Sequence, residues 1–149
     1  MDASTIQADP AGAFNLAQYE ASESAVFEPI NPKTGEKLLG ADGQPVRIEL
    51  YGPASEQYLR AQAQIEAAMT ERAVQSFMAN KGKQVEEKGD PAADAENSRA
   101  DRIKKLIACT KSISPNFPVA AADLFTNPRL AYLTNQAAAF MENWSHFLP

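Results

Sequence analysis

The hydrophobic and polar positions of this chain change period several times, and each change predicts an element. In "VRIELYG" Val46, Ile48 and Leu50 fall on one side and Arg47, Glu49 and Tyr51 on the other, the period-2 alternation of a half-buried strand. "NPKTGE" and "ADGQ" just before it are turn chemistry, because Gly and Asn accept positive φ and Pro fixes φ. Residues 22–52 therefore read as an antiparallel meander of two or three strands. From Ala54 to Ala79 the spacing becomes helical, with Tyr58, Ile65, Met69, Ala73 and Phe77 on one stripe, Ser55 or Pro53 at the start and Gly82 beyond the end. This long helix is expected to cover the apolar face of the sheet.

Residues 81–98 hold one aliphatic residue larger than alanine, Val85, among charges, Gly and Pro, which is the composition of a flexible linker. Helical spacing resumes in "SRADRIKKLIACTKSI", with Ile103, Leu106, Ile107, Thr110 and Ile113 inward and Arg102, Lys104, Lys105 and Lys111 outward. After the breaker "SPNFP" comes a short helix, "VAAADLF". Asn127 and Pro128 then supply an N-cap and a first-turn proline for a final helix. Its stripe runs through Leu130, Leu133, Ala137, Phe140, Met141, Trp144, Phe147 and Leu148, about 30 Å at about 1.5 Å per residue. The fold class is α+β: a small antiparallel meander packed on a long helix, then a C-terminal helical subdomain. The expected organisation is an N-terminal arm (1–21), the meander plus helix (22–80), the linker (81–98) and C-terminal helices (99–149).

Composition narrows the chemistry. Of 149 residues, 44% are hydrophobic and 22% charged, globular values that suit one domain with one core. A net charge of −5 speaks against nucleic acid as the principal partner, since such domains carry a basic excess. The N-terminal residues lack a basic region followed by an apolar one, and no stretch has the length of apolar sequence a membrane span needs, so neither export nor membrane insertion is expected. One cysteine, Cys109, excludes an internal disulfide, and with the single His146 it cannot complete a cysteine/histidine zinc site. Cys109 lies in an apolar helical pattern and reads as a buried thiol; His146 reads as partly exposed. Glu86, Glu87, Asp90, Asp94 and Glu96 alternate with lysines or small residues and lack calcium-loop spacing. "GADG" and "NKGKQ" lack the phosphate-loop pattern, and the basic run Arg99, Arg102, Lys104, Lys105 has no interleaved aromatics. Catalytic, cofactor-binding and metal-binding residues are thus none, and no cofactor is expected. The terminal stripe carries too much apolar surface to leave wet, so either the core or a partner covers it. Tyr132, Phe140, Met141, Trp144 and Phe147 are the candidate partner-binding residues.

Several segments together resemble a known family. "ADLFTNPRLAYLTNQAAAFMENWSHFL" is similar to the C-terminal part of siphophage and prophage tail assembly chaperones, matching at Leu124 and Phe125, at Asn127 to Leu130, and at Tyr132, Gln136, Phe140 and Met141. "NPKTGEKL", "VRIELYGPASEQYLRAQ" and "LIACTKSI" resemble further family segments, in the family's order. A tryptophan that the family carries after its Cys-Thr pair is replaced near Ile113, and its usual helix start is replaced by "FPVAAAD". The resemblance implies a non-enzymatic chaperone in the cytoplasm of an infected bacterium. Such a protein binds tape-measure protein and recruits tail-tube subunits while a long non-contractile tail assembles, with self-association possible. A structural minor tail or tail-completion protein retained in the virion, and a small regulator of a host enzyme, are the alternatives.

Overall fold

In a computed structural model, residues 14–79 and 91–149 are described. The class is α+β, as the periodicities predict. A three-stranded antiparallel sheet is formed by β1 (Ser24–Phe27), β2 (Ile48–Tyr51) and β3 (Thr110–Ile113), with β2 in the centre. Ser24 faces Tyr51 and Phe27 faces Ile48 across the first ladder; Ile48 faces Ile113 across the second, which shifts register between Glu49 and Leu50. Between β1 and β2 the chain makes two turns, at Asn31–Glu36 and at Gly40–Gln44. Gly35 and Gly43 sit there with φ of 77° and 78°, the left-handed conformation in which a side chain is strained.

Val46, Ile48 and Leu50 are all buried, as their alternation requires. The strand β3 departs from expectation, for the helical spacing of "IKKLIACTKSI" runs on past Cys109 while the helix stops there. The Thr110 hydroxyl donates to the Leu106 carbonyl at 2.7 Å, closing the last turn, and the chain then pairs with β2. Pairing with the open edge of β2 satisfies the backbone groups of this segment, and the β-branched Thr110 and Ile113 at its ends suit a strand.

The long helix α1 (Glu56–Ala79) starts as predicted. The Tyr58 N–H donates to the Ser55 hydroxyl at 3.1 Å, and that hydroxyl donates to the Gly52 carbonyl at 2.7 Å, an N-cap with both valences used. α1 does not cover the sheet, however. It packs on α2 (Pro91–Cys109), and Ala61 is its one buried residue. Residues 91–98, expected as linker, are the opening turns of α2: Pro91 occupies the first turn, Asp94 complements the positive helix end, and the alanines favour helix. The expected stop at Gly82 and the rest of the linker lie outside the described residues.

The helices α3 (Ala121–Thr126) and α4 (Ala131–Glu142) complete the fold. The final helix is not the continuous 30 Å stripe expected. Asn127 caps a single 3-10 turn, Pro128–Leu130, by accepting the Arg129 N–H at 2.9 Å, and α4 begins only after it. Asn143 ends α4 and repeats the device, accepting the Ser145 N–H at 3.0 Å to start a second 3-10 turn, Trp144–His146. The break turns Trp144 outward and returns Phe147 to the core.

That core is shared by both halves of the chain. Phe27, Val46, Ile48 and Leu50 from the sheet meet Leu106 and Cys109 of α2, Leu124 and Phe125 of α3, and Leu133, Ala137 and Met141 of α4. Because β3 and the C-terminal helices build on the same sheet as residues 24–51, the segments on either side of residues 80–90 form one packed unit rather than two that adjust independently.

Candidate functional site

Three surface features can carry function, and the C-terminal aromatics come first. Of the five expected partner-binding residues, Met141 and Phe147 are 0% and 1% exposed and belong to the core, which corrects their assignment. Phe147 lies against Gly52 so closely that a Cβ there would stand 2.4 Å from the ring. Phe140 is half-buried, its ring 5.3 Å from Phe27, edge-on to Phe147 at 5.7 Å and parallel to His146 at 4.0 Å. Tyr132 and Trp144 are open to solvent, at 36% and 51%. The structure therefore splits the predicted set: within α4 Tyr132 faces solvent while Met141 faces the core, and beyond it the break at Asn143 separates exposed Trp144 from buried Phe147.

The second feature is the outer face of α1, which periodicity alone did not separate. Leu59, Ala63, Ala67, Thr70, Val74 and Phe77 follow one another at three- and four-residue steps, and all six are exposed. On the other side of the helix, Ala61, Ile65 and Ala68 line the seam with α2. Phe77, predicted to point inward, is 71% exposed, and Met69 is exposed as well. Alanines on both sides hid the second stripe: they satisfy an apolar pattern in either direction.

The third feature is a polar cluster joining α1, α2 and α4. Lys105, expected on the outer face of its helix, is buried. Its ammonium donates to Tyr58 Oη at 3.0 Å and Gln62 Oε1 at 2.7 Å, pairs with Glu142 Oε2 at 2.8 Å, and lies 4.2 Å from the centre of the Tyr58 ring. Tyr58 also donates to Glu142. Alongside, Arg72 of α1 pairs with the buried Asp101 of α2 at 2.7 Å. Burial works against the Lys105 charge, yet its bonds to Glu142 and Tyr58 prevail and hold the ammonium above the ordinary lysine range. The Tyr58 phenol is also raised, first by burial and then by the Glu142 carboxylate. Both groups keep their protons near neutrality, so neither serves as a base there, and the cluster ties three helices together. A cleft of about 580 Å³ opens beside it, lined among others by Ile65, Met69, Arg72 and Asp101.

The remaining chemical candidates fall as follows. Cys109 is fully buried, and desolvation pushes its thiol to about 11, far from the thiolate a nucleophile needs. His146 is exposed, with Nδ1 3.1 Å from the Phe140 carbonyl, to which it donates. Asp94 and Glu96 are exposed on α2, and Glu86, Glu87 and Asp90 lie outside the described residues. Among the described residues no group of three or more His, Cys, Asp or Glu is placed to hold a metal ion, and no helix is long and apolar enough to cross a membrane.

Gln136, one of the family-like positions, has a clear task that sequence reasoning did not assign. Its side-chain amide accepts the Ile30 N–H and donates to the Ile30 carbonyl, both at 2.9 Å, as a neighbouring strand would. Comparison with protein families, curated proteins and solved structures finds no match.

Proposed function

We propose that this chain is a non-enzymatic tail assembly chaperone, which binds tape-measure protein and recruits tail-tube subunits in the cytoplasm of an infected bacterium. The observation that carries the reading is the ordered set of family-like segments, from "NPKTGEKL" to "NPRLAYLTNQAAAFM". The outer face of α1 supports it. A helix of 24 residues that buries one of them, while exposing Leu59, Val74 and Phe77 in register, suits a client that is itself helical. Tape-measure proteins are long helical polymers with apolar seams, and helix-against-helix docking covers such seams through side chains at these spacings. Trp144 and Tyr132 add two exposed aromatics, the residue types that most often anchor interfaces. The acidic surface keeps a many-copy complex soluble by mutual repulsion.

Co-expression with a tape-measure protein and a tail-tube subunit tests the reading. The chain should hold at least one client in a soluble, co-sedimenting complex and be absent from finished particles by mass spectrometry. Clients that behave alike with and without it, or its retention in particles, would move the assignment to a structural tail component.

A further inference from the structure

The outer edge of β1 has a directional hydrogen-bonding pattern. The Gly52 N–H donates to the Glu23 carbonyl, the Leu38 N–H to the Pro29 carbonyl, and the Asn31 N–H to the Glu36 carbonyl, at 2.8, 2.9 and 2.8 Å. Odd-numbered residues from 23 to 31 therefore turn their backbone groups toward β2 and its hairpin, and even-numbered residues turn theirs outward. At the two ends of this edge the outward groups are already paired. The Ser22 N–H donates to the Phe147 carbonyl at 2.6 Å, and Ile30 is held by the Gln136 amide. Between them, Ser24, Val26 and Glu28 present N–H and C=O groups with no backbone partner among the described residues, over about 13 Å of extended chain.

A groove of about 510 Å³ runs beside this open stretch, between β1 and the outer side of α4. Val26, Phe27, Ala139 and Phe140 make its apolar surface, and Lys37 and His146 line it as well. We infer that the groove is a strand-addition site for an extended peptide segment of a partner protein, about five residues long. It pairs with Ser24, Val26 and Glu28 and lays alternate apolar side chains against Phe140 and His146. The chemistry follows from the edge: evenly spaced donors and acceptors are satisfied by an extended backbone, and a helix has none to offer. Edge-to-edge pairing with a second copy of this chain is the competing occupant, and the experiment below separates the two. The inference rests on the sheet edge alone and is independent of the proposed function.

Panning a ribosome-displayed library of random 12-residue peptides on the full chain tests it, with recovered peptides titrated by fluorescence anisotropy. Val26→Pro removes one outward N–H and leaves the β1–β2 ladder bonds intact, and Ala139→Arg fills the groove from an exposed position. Thermal melting checks that both variants remain folded. Recovered peptides should alternate apolar and polar residues and bind each variant at least tenfold more weakly than the wild type, with Phe77→Ser unchanged. The site is overturned if no peptide enriches, or if peptides bind both variants as they bind the wild type. A wild-type dimer that Val26→Pro converts to monomer would also overturn it, assigning the edge to self-association.

Discussion

The contact between Gly52 and Phe147 makes the sharpest stability prediction. A methyl group on Gly52 would lie 2.4, 2.5 and 2.7 Å from three ring carbons of Phe147, over an ångström inside normal carbon contact, and the 1%-exposed ring has little room to retreat. Gly52→Ala should therefore cost about 1–3 kcal/mol, the range for overpacking a full core. Phe147→Ala deletes the ring and leaves a cavity beside Phe140, a loss of about 3–5 kcal/mol. Together the two changes should cost clearly less than their sum, because the new methyl then occupies part of the space that the ring vacates. Urea denaturation followed by circular dichroism measures all three, with about 1–3 kcal/mol per molar denaturant converting midpoint to free energy. Strict additivity, or a Phe147→Ala loss under about 1 kcal/mol, would refute the packing argument and return Phe147 to the exposed aromatics.

Other predictions concern the polar cluster, the thiol and the break in the terminal stripe. Lys105→Met strips Tyr58, Gln62 and Glu142 of a shared donor and should lower stability by about 1–3 kcal/mol in the same assay. Lys105 and Tyr58 both have pKa values raised in the folded state, so their contribution is complete below the unfolded values near 10 and is lost as pH rises through the folded ones; a pH series of melts should show wild-type stability falling above about pH 10, and a flat profile there would contradict the cluster. Cys109 should resist a thiol-directed disulfide reagent in buffer and react in denaturing urea; fast labelling of the native chain would contradict its burial. Trp144→Ala, at an exposed site, should change stability by no more than about 0.5 kcal/mol, and a loss comparable to that of Phe147→Ala would place Trp144 in the core.

The contrasts among these residues show which parts of the fold are local. β2 and the start of α1 were readable because short-range chemistry decides them: the alternation of Val46, Ile48 and Leu50, and the Ser55 cap one residue before Glu56. β3 was hidden because its partner is remote. Thr110–Ile113 continues a helical pattern and becomes a strand only where the edge of β2 meets it. Lys105 points inward for the same kind of reason, since Tyr58 and Glu142 arrive from 47 residues upstream and from another helix. The break at Asn143 did have a local signal. "NWS" repeats the Asn cap that "NPR" uses sixteen positions earlier, and that repetition separates buried Phe147 from exposed Trp144. The outer stripe of α1 went unread because alanines satisfy an apolar pattern on both sides of the helix, and which side stays exposed depends on where α2 packs.

The chaperone reading makes the outer face of α1 its client surface, and a binding titration tests that most directly. Purified wild-type chain and the Val74→Ser/Phe77→Ser variant would each be titrated against soluble tape-measure protein in sedimentation velocity runs. Both positions are exposed, so the variant should keep the wild-type melting temperature. The account predicts a complex with the wild type and at least tenfold weaker binding by the variant. Equal binding by both would remove the client from α1, and no complex with either would contradict the chaperone assignment itself.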